Sequence, residues 1–114
     1  MATTDFTISL SIDQAAQLLD NEIVGGSVTG ERIDAHTVRD DSGLRCLVLV
    51  YEKHYYRAGN RLTLTVTLDN LSAPGRTRVH AVGGGGGEGL FRFDWGASDA
   101  FAGAVEDALG RYWV

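Results

Sequence analysis

Residues 61–82 read RLTLTVTLDNLSAPGRTRVHAV, and their spacing decides the fold. Leu62, Leu64, Val66 and Leu68 alternate with Thr63, Thr65, Thr67 and Asp69. That period of two belongs to a strand with one buried and one polar face. Pro74-Gly75 suits the centre of a type II turn, because proline presets φ and glycine accepts the positive φ that follows. A second strand, over residues 76–82, leaves the turn. Strands joined by so short a connection pair antiparallel.

The pattern extends outward in both directions. Breaks at Asp40-Asp41-Ser42-Gly43 and at Arg57-Ala58-Gly59-Asn60 divide the upstream chain into strands near 28–39 and 44–55. Leu44 to Tyr51 is apolar on both faces, which predicts an interior strand. Downstream, Leu90-Phe91-Arg92-Phe93-Asp94-Trp95 alternates again and predicts a strand over 90–95. A first short strand carries Phe6, Ile8 and Leu10.

Two helices flank this meander. Ser11-Ile12-Asp13-Gln14 has the form of a capping box, in which the serine hydroxyl and glutamine side chain satisfy amides left free by the first helical turn. Ala15, Leu18, Leu19 and Ile23 follow at helical spacing, and Gly25-Gly26 is expected to supply the left-handed residue that ends the helix. Ser98 is the expected cap of a closing helix, whose stripe is Phe101, Ala104, Val105, Ala108, Leu109 and Tyr112.

The order β-α-β-β-β-β-β-α predicts an α+β fold, a single curved antiparallel sheet of about six strands with two helices packed on one face. The opposite face should carry Thr63, Thr65 and Thr67 with several arginines. The 114 residues are read as one domain, 1–114.

Composition narrows the function. The net charge of -5 argues against a general nucleic-acid binder, which needs Lys and Arg on phosphates. The charge is uneven, because residues 27–95 hold nine basic and eight acidic side chains while the ends hold Arg111 against seven acids. No apolar run reaches the roughly 18 residues that cross a bilayer. One cysteine, Cys46, and an N-terminus without a signal-peptide pattern predict a reducing, cytoplasmic setting.

Three candidate chemistries arise. Gly83 to Gly87 form an unbroken glycine run, and Gly84, Gly86 and Gly89 spell G-x-G-x-x-G. A dinucleotide loop must open a helix, whereas the strand-like LFRFDW follows, so the run reads first as a hairpin connection. Its alternative is a backbone nest converging on an anion beside Arg78 or Arg92. The second candidate is the cluster His54, Tyr55, Tyr56 and Arg57 at a sheet edge, which suits a small anionic or aromatic ligand. Metal is the third and has little support, since His36, His54, His80 and Cys46 include no pair at zinc-site spacing. The sequence therefore implies no metal and no cofactor, and it shows no nucleophile motif.

The segment YEKHYYRAGNRLTLTVTL, residues 51–68, with the glycine run before an aromatic strand and a closing helix, resembles a family of small bacterial proteins of unknown function. These share an aromatic-rich Gly-Asn-Arg turn. The resemblance implies a compact α+β domain and carries no catalytic residue with it.

The expectation is a non-enzymatic binding or self-associating module, forming a homodimer or holding a small ligand through its polar sheet face and glycine-rich loop. A first alternative is a small enzyme with a pocket between the sheet and the closing helix, using His54, Tyr55, Tyr56 and Arg92. A second is an RNA-binding module that stacks bases on Tyr and Arg of the sheet.

Overall fold

The computed structural model of the chain describes residues 2–26, 30–55, 60–85 and 103–114. Its strands are β1 (Ala2–Ile8), β2 (Glu31–Arg39), β3 (Arg45–Tyr55), β4 (Asn60–Asp69) and β5 (Thr77–Gly85). They form one antiparallel sheet in the order β1-β5-β4-β3-β2. Strands β2 to β5 are the expected meander, and β1 adds beside β5. Helix α1 (Ile12–Asp20) follows β1, and residues 103–109 are helical and are labelled α2. The fold is thus α+β, as the alternation implied. The strand expected over 90–95 and the cap expected at Ser98 lie outside the described residues.

Both helices bury against the same sheet face. Ile12, Ala15 and Leu19 of α1, and Val105 and Leu109 of α2, join one core with Phe6, Ile8, Leu47, Leu49, Leu62, Leu64, Val66, Leu68, Val79 and Ala81. Every one of these sheet residues lies on the inner side of the pleat, because alternate positions point to opposite faces. Interior β3 carries Leu47, Leu49 and Tyr51 inward, while Cys46, Val48 and Val50 make its opposite face apolar as well.

The turns follow their residues. Gly75 has φ 74°, and the Arg76 amide donates to the Ala73 carbonyl at 3.4 Å, closing the turn at Pro74-Gly75. At the other hairpin, Gly43 has φ 99° and the Asp40 carboxylate accepts from the amides of Ser42 and Leu44. The Ser11 hydroxyl accepts from the Gln14 amide while the Gln14 side chain accepts from the Ser11 amide, so the capping box forms.

Two expectations need correction. The helix does not end on a left-handed glycine. After Asp20 the chain widens into a π-helical turn, Asn21–Gly25, and Gly26 sits at φ -92°. Gly26 is required for space instead, since a Cβ there would lie 2.6 Å from the Glu22 carbonyl oxygen. The glycine run is also not all connection. Gly83, Gly84 and Gly85 are the last residues of β5, paired with Leu64, Thr63 and Leu62.

The two sheet edges differ. Along β1 the chain end adds a bridge between Ile8 and Trp113: the Ser9 amide donates to the Tyr112 carbonyl at 2.9 Å and the Val114 amide to the Thr7 carbonyl at 3.0 Å. Trp113 packs on Phe6 with ring centroids 4.9 Å apart. Strand β2 forms the other edge, exposed at every position except Thr37 and bulged at Ile33.

Candidate functional site

The register assembles the sheet face that, among the described residues, the helices leave uncovered. Across the strands it sets Thr7, Arg78, Asp69, Cys46 and Val38 in one row, and Asp5, His80, Thr67, Val48 and His36 in the next. A third row holds Thr3, Val82, Thr65, Val50 and Asp34, and a fourth Gly84, Thr63, Glu52 and Glu31. His54 and Arg61 face one another beyond Glu52. The expected threonine face is therefore present, with a column of Cys46, Val48 and Val50 beside it on β3.

Charges on this face come in groups. Asp5 on β1 accepts from Arg78 Nε at 3.3 Å and lies 3.2 Å from His80 Nδ1. The bond from Arg78 holds the Asp5 carboxyl below the ordinary carboxylate range. Glu52 lies 3.2 Å from His54 Nε2 and 3.4 Å from Arg61 Nε, and its side chain is only 13% exposed. Burial, aided by Asp69, raises the Cys46 thiol and keeps it protonated, so it lacks the thiolate a nucleophile needs.

The apolar column opens onto an exposed patch. Val38, Leu44 and Leu71 are 57%, 44% and 58% exposed, and together with Cys46 they line a groove of about 260 Å³. A second concavity, of about 340 Å³, lies between α1 and the strand ends, where Arg45, Arg76, Asn70 and Thr77 line it. Arg45 donates to Asp13 at 2.8 Å, but its Nε is buried without a partner. Both concavities sit at the end of β3 opposite His54.

On the covered face, Tyr51 is fully buried and its hydroxyl donates to Asp20 at 2.7 Å. The second oxygen of Asp20 accepts from Arg32 at 2.8 Å. Burial, and then the bond to Asp20, push the phenol far above its ordinary value. Tyr51 is a wall of the core, tied by its polar tip.

The expected site residues separate under this geometry. His54, Arg78 and Gly84 all face the uncovered side, but His54 and Arg78 lie at opposite ends of the sheet. Tyr55 ends β3, while Tyr56, Arg57, Gly86 and Arg92 lie outside the described residues. Glu52, Glu31 and Asp5 were not singled out from sequence. Apart from His54, which shares β3 with Glu52, their partners come from neighbouring strands, and the only signal was their place in alternating segments.

No helix is long and apolar enough to cross a membrane among the described residues. Compared with curated proteins and with solved structures, the chain finds no match. A family model does match, over residues 1–113, and on that match the chain belongs to DUF6054, a family of unknown function.

Proposed function

We propose that the protein is a non-enzymatic module that associates with a second copy of itself through the sheet face its helices leave uncovered. One observation carries the reading. The column Cys46, Val48 and Val50 runs into the exposed Val38, Leu44 and Leu71, a continuous apolar surface rimmed by charged and threonine side chains. Apolar side chains grouped in this way, inside a polar rim, suit a protein contact better than solvent. A two-fold axis would lay the column of one copy on that of the other, as isologous dimers do, with sheets stacked about 10 Å apart.

Size sets the strength. Five strands about 4.8 Å apart and some six residues along each give a flat footprint of roughly 500 Å². That is below the roughly 800 Å² per partner of a standard interface, so the dimer should be weak and concentration-dependent. Sedimentation velocity from about 10 to 500 μM tests this. The wild type should shift toward dimer across that range, Val48→Glu should remain monomeric, and Val24→Glu, on the helical side, should behave as wild type. A wild type monomeric throughout, or Val48→Glu dimerising normally, rejects the reading.

A further inference from the structure

At the end of the sheet away from the apolar patch, a different chemistry collects. Glu31, the first residue of β2, stands directly opposite Glu52 on β3. Side chains so paired have Cβ atoms about 5 Å apart, and like charges in that position oppose one another. His54 lies two residues beyond Glu52 on the same face. A donor atom from each of Glu31, Glu52 and His54 comes within 4.8 Å of the other two.

We propose that Glu31, Glu52 and His54 form a binding site for a divalent transition-metal cation of the zinc type. A tetrahedral centre with ligand bonds of about 2.1 Å places its donors about 3.4 Å apart. The His54 Nε2 to Glu52 Oε1 distance, 3.2 Å, already matches that edge. Glu31 closes the remaining edges by side-chain rotation at the exposed margin of the sheet. A cation shared by the two carboxylates turns their repulsion into attraction. Arg61 Nε lies 3.4 Å from that same Glu52 Oε1, and its exposed guanidinium turns aside into solvent as the cation takes its place on the partly buried carboxylate.

The donor set also selects among cations. One imidazole with two carboxylates suits zinc, cobalt or manganese, whereas magnesium prefers oxygen donors and retains its water. Exposure of Glu31 and His54 leaves the fourth position to solvent, the arrangement of an open rather than a closed zinc site.

This site is not legible in the sequence, because its histidines and cysteine are scattered. The two carboxylates are 21 positions apart and meet only through the β2 and β3 register.

Calorimetric titration of the chelator-treated full chain with Zn²⁺ decides the matter, with far-UV circular dichroism confirming that each variant folds. The wild type should bind one Zn²⁺ saturably. Glu52→Gln and His54→Ala should each weaken binding at least about tenfold, the lower end of what even outer partners of a metal ligand contribute. His36→Ala, which alters another exposed histidine on the same face, should leave it unchanged. Co²⁺ should give the visible absorption of a tetrahedral centre, lost in His54→Ala. Absence of saturable binding by the wild type overturns the proposal. So does binding that survives both Glu52→Gln and His54→Ala, or that disappears in His36→Ala instead.

Discussion

At the scale of single residues, Tyr51 shows how a polar atom is kept inside an apolar core. Its ring fills core space between strands, and its hydroxyl meets Asp20, which Arg32 in turn neutralises. In Tyr51→Phe the carboxylate keeps the arginine, so the loss is one hydrogen bond, worth about 1 kcal/mol. Urea unfolding at neutral pH should show that decrease. The pH dependence has a definite sign. The folded-state phenol titrates above its unfolded value of about 10, so its contribution is complete below that pH and falls as pH rises further. Tyr51→Phe should therefore lose less stability than the wild type between neutral pH and pH of about 10.5. The sequence suggested that Tyr51 belongs to the core. Its partner was not legible, since Asp20 is 31 positions away on another element.

At the scale of elements, alternation was a sound guide wherever a strand has one buried face. Residues 61–69 announced β4 to within one residue and 76–82 announced β5 up to its last three, and Ser11 with Gln14 marked the start of α1. Glycine-rich segments misled in two ways. Glycine packs no side chain and is depleted in strands, so Gly83 to Gly85 resemble a connection. Pairing overrides that tendency, because Gly83 lies between Leu64 of β4 and Ala2 of β1. A Cβ on Gly84 would meet only Thr63 Oγ1, at 3.6 Å, an ordinary contact. Gly84→Ala should thus be neutral or stabilise by up to about 1 kcal/mol, measured by thermal or urea unfolding. Gly26→Ala should do the reverse. Its Cβ would strike the Glu22 carbonyl at 2.6 Å, and a backbone obstruction should cost about 1 to 3 kcal/mol. Gly25→Ala, with open space around the added carbon, serves as the control.

At the scale of the whole molecule, the sequence conveyed the class of fold and the polarity of each face. It conveyed the β2 to β5 meander, but neither the register across it nor the place of β1 beside β5. That order determines the site: Asp5 reaches His80 only because β1 docks beside β5, and Glu31 reaches His54 only because β2 lies against β3. The same order leaves β2 as the exposed edge, bulged at Ile33 and lined with charge, features that discourage strand addition. Strand β1 relies on a different guard, the bridge from Trp113. Deleting residues 111–114 should bare that edge, lower the unfolding midpoint and promote aggregation detectable by light scattering. A timing constraint on biosynthesis comes from the same bridge: translation makes Ile8 long before Trp113, the residue that covers it. Until Trp113 has left the ribosome, the nascent domain waits with one margin open to its neighbours.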